Sequence, residues 1–259
     1  MTRRFYRIEH DGGPRHAVEE EGRWRLVEGD IFGEWRPGIP LPSTDHHLLP
    51  PVMPSKIVAI GLNYRDHAAE QGKPVPAEPL MFLKPSTAVI GPEDPIVLPE
   101  DAGRIDHEAE VGLVIGRRAW HVREADALGY VFGVTCVNDV TARDLQKKDV
   151  QYARAKGFDT FALIGPCIAT GLDLTQPIAI EGWVNGERRQ ASSTRELIFG
   201  IPRLVAHITA VMTLLPGDII STGTPAGIGP LKAGDRVTVK VEGVGELTNR
   251  VGQAISLRK

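Results

Sequence analysis

The chain lacks any run approaching the ~20 consecutive apolar residues that a membrane helix requires. Its start, MTRRFYRIEH, carries basic residues but no apolar h-region. A cytoplasmic protein with no membrane partner is the expectation. Cysteine is scarce: only Cys136 and Cys167 are present, each inside an apolar stretch and without a cysteine or histidine neighbour at metal-ligand spacing. A disulfide framework and a thiolate zinc site are thereby excluded, and both thiols read as small buried hydrophobes. Charge of one sign is lacking too, with 30 Lys+Arg against 33 Asp+Glu, a formal net charge of -3, and Glu19-Glu20-Glu21 as the longest like-charge run. That balance favours neither nucleic acid nor an anionic surface. No internal repeat or low-complexity tract occurs.

What is present is a chain of 259 residues with 42% hydrophobic composition, enough to bury one large core with a small appended unit. Residues 3 to 36 carry three strand-like segments, RFYRIEH, PRHAVEE and RWRLVEG, separated by the turn signals Asp11-Gly12-Gly13 and Glu21-Gly22. These predict a small β-meander. Pro37, Pro40, Pro42, Pro50, Pro51 and Pro54 follow, and their missing donors and fixed φ prevent a helix or a central strand from persisting there. A small N-terminal β domain with its linker is expected over 1–54, and the main domain over 55–259.

The main domain opens on KIVAIGL, an apolar run short enough to be a buried strand. Tyr64 to Gln71 reads as a helix, with Asn63 as N-cap and Gly72 and Pro74 as its stop. Further strand candidates are LMFLK, AVI, EVGLVIG, VFGVTCV, IAIEGWVNG, DIISTG and RVTVKVEG. Thr141 to Ala153 reads as a second helix. Ser193 to Leu214 reads as a third, with Leu197, Ile198, Ile201, Leu204, Val205, Ile208 and Val211 at helical spacing and Pro202 limiting its start. Strands outnumber helices and many are joined by turns, so the fold class is β-rich α+β.

Three carboxylates stand out. In DHEAEVGLVIG, Glu108 and Glu110 are two apart on a strand and point the same way. Like charges at the start of an apolar strand repel unless a cation neutralises them. Asp139 ends the apolar run YVFGVTCVN, where a charge is usually paired or functional. Three oxygen ligands without histidine or cysteine suit a hard ion. An alternative stays open: a solvated edge strand for the glutamates, and a helix cap near Thr141 for Asp139. His67 and Glu70, three apart, share a helix face, though a solvated surface pair would look the same. Lys84 and Lys156 adjoin apolar sequence and could equally extend to solvent. Arg143 could pair with Asp144 or Asp149. The loop TGTPAGIG at 222–229 has glycines that let backbone N–H groups approach a ligand, but no Gly-Lys-Ser/Thr follows, so it is not a phosphate loop.

Taken in order, GLNYRDHAAE at 61–70, FLKPSTAVIGP at 82–92, DHEAEVGLVIG at 106–116, NDVTARDLQ at 138–146, KGFDTFALIGP at 156–166 and LLPGDIISTGTPAGIGP at 214–230 resemble the fumarylacetoacetate hydrolase family. The likeness covers roughly residues 55 to 252. It implies a mixed β-sandwich roll with flanking helices, assembled as a homodimer. The resemblance also makes Glu108, Glu110 and Asp139 metal ligands, with Mg²⁺ or Mn²⁺ as the usual occupant. His67 and Glu70 then form a dyad on a lid helix that positions or deprotonates a water. Lys156 approaches the substrate oxygens and Lys84 lies beside the metal carboxylates. Arg143 and Gln146 contact the polar end of the substrate, and Gly223 and Thr224 its carboxylate.

The function so implied is a divalent-metal-dependent reaction on a small 2-oxo or 2-hydroxydienoic acid through a metal-stabilised enolate. In chain length, the N-terminal unit and KGFDTF the sequence most resembles the family's 2-hydroxyhepta-2,4-diene-1,7-dioate isomerases, and the first expectation implied by that resemblance is this isomerisation, in aromatic catabolism. Acylpyruvate hydrolysis or oxaloacetate decarboxylation is the alternative, supported by the intact dyad. A binding relative without turnover is the third reading.

Overall fold

The computed structural model describes residues 2–42 and 46–253. Positions 43–45 of the proline-rich linker, together with Met1 and the last six positions of the expected main domain, lie outside the described residues. The meander forms as expected. Strands β1 (Arg3–His10), β2 (Gly13–Glu20), β3 (Arg23–Gly29) and β4 (Trp35–Pro40) pair in sequence, antiparallel, with turns at the two predicted places. Pro37 and Pro40 fall within β4, which tolerates them because it is the outermost strand of its sheet.

The linker pairs briefly through β5 (Leu48–Leu49) before β6 (Ile57–Gly61) enters the core. Helix α1 (Arg65–Glu70) follows, shorter than its sequence signal and with Tyr64 as N-cap. Asn63 does not cap it. Its amide instead donates to Phe199 O at 3.2 Å and Thr222 O at 2.8 Å and accepts from Phe199 N at 2.9 Å, tying three loops together. Next come β7 (Leu80–Lys84), β8 (Val89–Ile90), β9 (Ile105–His107), β10 (Ala109–Ile115), β11 (Val131–Asp139) and β12 (Thr141–Ala142). The helix expected over 141–153 is broken. It begins as α2 (Arg143–Asp149), stops where Val150 adopts φ +62°, and resumes as α3 (Ala153–Lys156).

Strand β13 (Ala162–Thr170) carries Pro166, and that residue hid the strand from the sequence reading. The proline sits where the β11·β13 register shifts between Val134 and Cys136, the irregular kind of position at which an interior strand accepts it. The hairpin β14 (Ala179–Val184) and β15 (Glu187–Ser193) turns at Asn185-Gly186. Helix α4 (Ile201–Val211) starts at the limit set by Pro202 and buries Ile201, Leu204, Val205 and Ile208. The chain then adds β16 (Ile219–Ser221), β17 (Gly229–Pro230), β18 (Arg236–Val241) and β19 (Gly245–Arg250).

Among the described residues the largest sheet runs β4-β3-β2-β1-β13-β11-β10-β16-β6-β7, with β5 on β1 and β8 on β13. The N-terminal meander is continuous with it, since β1 pairs β13 with Phe5 opposite Ile168. A second sheet, β15-β14-β18-β19, packs over β10, β11 and β13, and a small one orders β12-β9-β17. Alternation along β10 sends Ala109, Val111, Leu113 and Ile115 into the main core, and Glu110 and Val114 to the opposite face. The protein is therefore a β-rich α+β fold with a curled sheet and few helices, as expected from sequence. No helix among the described residues is long and apolar enough to cross a membrane.

Candidate metal centre and active site

Strand pairing delivers the three carboxylates to one place. β10 and β11 run antiparallel with Ala109 opposite Asn138 and Glu110 opposite Val137. Just before β10, the Glu108 amide donates to Asn138 Oδ1 at 3.0 Å, and its carbonyl accepts from Asp139 N at 2.9 Å. One carboxylate oxygen from each of Glu108, Glu110 and Asp139 lies within 4.8 Å of the others. All three residues are buried, with relative exposures of 4%, 1% and 1%. The solvated-edge alternative for the glutamates is thereby overturned. So is the capping alternative for Asp139, because α2 begins after Ala142 with no side-chain cap.

Three cations surround the acids. Lys156 Nζ donates to Glu108 Oε2 and Asp139 Oδ2, both at 2.6 Å. Lys84, fully buried, donates to Asp139 Oδ1. Arg143 reaches Glu108 Oε1 with Nη2, Asp106 Oδ2 at 2.9 Å with Nε, and Gln146 Oε1 at 3.0 Å with Nη1. Neither lysine extends to solvent, and Arg143 pairs with neither Asp144 nor Asp149. The latter pairs with Arg154.

Burial would push the Glu108 carboxyl up, but Arg143 and Lys156 outweigh it and hold the group well below the usual carboxylate range. Burial pushes the Lys84 ammonium below the ordinary lysine value even beside Asp139. Among the described residues Glu110 has no ion-pair partner. It accepts from Ser221 Oγ at 2.5 Å and Gly223 N at 2.8 Å, and burial together with the Asp139 and Glu108 charges pushes its carboxyl up to about 8. Three converging carboxyl oxygens without nitrogen or sulfur, one of them from a glutamate without an ion-pair partner among the described residues, fit a hard divalent ion held by Glu108, Glu110 and Asp139.

A cavity of about 160 Å³ opens on Glu108 and Glu110. His67 from α1 lines it, 7% exposed, with Nδ1 2.9 Å from Glu70 Oε2. The other Glu70 oxygen accepts from Gly227 N at 2.9 Å, so the helix docks on the 222–229 loop through the dyad's carboxylate. Phe82 and Tyr152, in edge contact at 5.3 Å, also line the cavity, with Ile60, Leu62 and Leu80.

The remaining sequence candidates are placed as follows. Arg143, Gln146, Lys156 and Thr224 all line the cavity. The Thr224 hydroxyl already donates to Ala109 O at 2.9 Å and so has no proton left for a ligand. Gly223 adopts φ +99°, and a Cβ there would lie 2.9 Å from Asn63 Cβ, so only glycine fits. Its N–H is committed to Glu110, which makes it a support of the metal carboxylate. The sequence reading missed Ser221, Asn138 and Gln190, all buried and all bonded to this cluster. Ser221 and Asn138 stand inside quoted motifs. Gln190 stands in none, and its one signal was the Asn185-Gly186 turn, which announces a returning strand.

The chain is similar to known proteins over most of its length. The fumarylacetoacetate (FAA) hydrolase C-terminal family matches residues 56–252, and the Rv2993c-like N-terminal family matches residues 3–51. An uncharacterized protein of Archaeoglobus fulgidus is 53% identical over 229 residues, covering 87% of this chain and 91% of the relative. The crystal structure of 2-hydroxyhepta-2,4-diene-1,7-dioate isomerase from Mycobacterium marinum superposes with a TM-score of 0.89 at 40% identity, covering 99% of each chain. Maleylpyruvate hydrolase from Sphingobium sp. SYK-6, solved with manganese(II) and pyruvate, gives a TM-score of 0.80 at 30% identity, covering 97% of this chain and 100% of that one.

Proposed function

We propose that this chain, which belongs to the fumarylacetoacetate hydrolase family, is an enzyme that uses water to cleave a carbon–carbon bond in a small 2-oxo acid. The observation that carries this reading is that His67, hydrogen-bonded to Glu70, lines the same small cavity as Glu108 and Glu110 of the buried triad. A divalent ion at the triad, Mg²⁺ or Mn²⁺, supplies Lewis acidity to the oxygens of a bound oxo acid. The manganese and pyruvate of the maleylpyruvate hydrolase structure support that assignment by likeness.

The rest follows from the side chains. Glu70 is an acceptor at His67 Nδ1, so the ring proton sits there and Nε2 is left as the base. A water hydrogen-bonded to Nε2 gives up its proton as its oxygen adds to the acyl carbonyl carbon of the substrate. The C–C bond to the pyruvate-side carbon then breaks, its electron pair leaving as an enolate that takes the proton back from the imidazolium, which the Glu70 carboxylate stabilises meanwhile. Lys156 places an ammonium at the floor of the cavity, where an oxo-acid carboxylate finds positive charge. Phe82, Tyr152, Leu62 and Leu80 leave an apolar wall for the substrate tail. Closure of α1 against Gly227 keeps bulk water from this space.

A second reading, isomerisation of 2-hydroxyhepta-2,4-diene-1,7-dioate, is favoured by the likeness to the M. marinum isomerase. There His67 would carry a proton between two carbons and no water would enter the product. The test is turnover on acylpyruvates, oxaloacetate and the heptadienedioate with Mg²⁺ or Mn²⁺, each with and without EDTA. Metal-dependent cleavage of an acylpyruvate is the expected result. Conversion of the heptadienedioate alone establishes the second reading, and loss of CO₂ from oxaloacetate alone the decarboxylase. Absence of turnover across the panel would leave a binding protein. We also propose a homodimer, supported by the open edge strand β7, whose Leu80 and Leu83 are 48% and 46% exposed. Light scattering reporting a monomer would reject it.

A further inference from the structure

Gln190 is the one buried residue of β15, a strand whose other side chains are exposed or half-exposed. It belongs to the second sheet, yet its amide reaches into the site on the first. Oε1 accepts from Ala109 N at 3.0 Å and stands 3.2 Å from His107 Nδ1. Nε2 donates to Thr224 Oγ1 and to Pro225 O, both at 2.8 Å. A primary amide has two donor hydrogens and two acceptor lone pairs, and all four are used. The backbone partners fix which way the amide faces, because Ala109 N–H can only donate and Pro225 C=O can only accept. Oε1 then faces His107 Nδ1, so that nitrogen carries the ring proton.

The space for this side chain is built in. Gly182, opposite Gln190 across the β14·β15 pair, has no Cβ, and one placed there would lie 2.7 Å from Gln190 Oε1 and 3.1 Å from Ala109 Cβ. Glycine inside a strand weakens it, and here its absence of side chain admits the amide between the sheets.

The geometry points to Gln190 as a positioning residue for ligand recognition, a clamp that holds the 222–229 loop against the Glu108–Glu110 segment. It binds Ala109, the residue between the two glutamates, with one end and Thr224, on the cavity wall, with the other. It also sets the Thr224 hydroxyl. With Gln190 Nε2 donating to Oγ1, the hydroxyl proton turns to Ala109 O. Gln190 touches neither the carboxylates nor the cavity, so it acts through Thr224. Only the identity of the ligand rests on the 2-oxo acid reading.

The test uses two variants of the full-length protein, Gln190→Met, which keeps length and removes all four hydrogen bonds, and Thr224→Val, which removes the hydroxyl that accepts from Gln190 and donates to Ala109 O. Without ligand, hydrogen exchange over residues 222–229 should quicken roughly tenfold or more in Gln190→Met while the α4 and β13 cores keep their protection. With ligand, Mg²⁺ affinity by calorimetry should stay within about twofold of the parent, and oxalate affinity of the Mg²⁺-loaded protein should fall about tenfold in each variant and no further in the double variant. Unchanged exchange over 222–229, or additive losses in the double variant, would overturn the role. Should Gln190→Met not fold, Thr224→Val with exchange over 222–229 decides the Thr224 half alone, and no quickening there overturns it. A parent protein that binds Mg²⁺ but no oxalate refutes the 2-oxo acid reading, and the exchange measurement still decides the clamp.

Discussion

Lys156 Nζ lies 2.6 Å from Glu108 Oε2, a buried ion pair in which neither side chain is more than 5% exposed. The same ammonium also bonds Asp139, so in the metal-free protein one lysine holds two of the three acids together. Removing one partner of a buried pair leaves an uncompensated charge and costs about 3–5 kcal/mol. Lys156→Met should therefore lower unfolding free energy by about 3 kcal/mol in EDTA. With saturating Mg²⁺ the ion supplies the missing charge, and denaturant titrations should show a much smaller loss. Equal losses with and without metal would place the ion elsewhere.

Glu110 predicts how metal binding depends on pH. Its carboxyl, raised to about 8 by burial and by Asp139 and Glu108, holds a proton at neutral pH when no ion is bound. A cation needs the carboxylate, so binding expels that proton and tightens as pH rises toward 8, by up to about tenfold per unit. Calorimetry at pH 6.5 in buffers of different ionisation enthalpy should report about one proton released. The linkage runs the other way for the metal-free fold. Because the folded value lies above the unfolded one, this group's contribution to stability is present below the unfolded carboxylate value and disappears as pH rises through about 8.

His67 is a cavity residue and no metal ligand. His67→Ala should lower kcat for hydrolysis about 10²- to 10⁴-fold while Mg²⁺ affinity stays within about twofold. Glu70→Gln keeps an acceptor for Gly227 N–H but offers an amide where the imidazole needs a carboxylate, so its loss should be smaller. Calorimetric loss of metal binding in His67→Ala would refute the assignment of the dyad.

Gly223→Ala asks an L residue to adopt φ +99° with its Cβ 2.9 Å from Asn63 Cβ. Destabilisation of about 1–3 kcal/mol follows. The backbone shift that relieves the clash moves the N–H bonded to Glu110, so weaker Mg²⁺ binding should accompany the lower melting temperature. A stable variant with full metal affinity would show that this amide does not support the site.

Much of this was legible because it depended on short-range pattern. The short apolar runs EVGLVIG and VFGVTCV announced β10 and β11, and the spacing of Glu108 and Glu110 carried their shared direction. Three features were not. Pro166 masked β13, since a proline in an interior strand is admitted only by a register irregularity created by the neighbouring strand. The α2–α3 break depends on Val150, whose positive φ no local sequence demands. Gln190 was invisible because ERRQASS is polar except for Ala191, which is itself exposed, and nothing in it distinguishes the residue that turns inward from those that meet water. Long-range partners decide all three, and sequence period does not report them.

The antiparallel register that sets Phe5 against Ile168 makes the first fifty residues a structural debt of the rest. A chain started at residue 55 would present the flank of β13 as a bare row of amides and carbonyls beside Ile168, an invitation to cross-molecular pairing and precipitation. Arg4 reinforces the joint, its Nε donating to Gly243 O at 3.2 Å. Calorimetry of the intact chain should accordingly trace one endotherm whose van't Hoff and measured enthalpies agree, the mark of two sequence families melting as a single cooperative body.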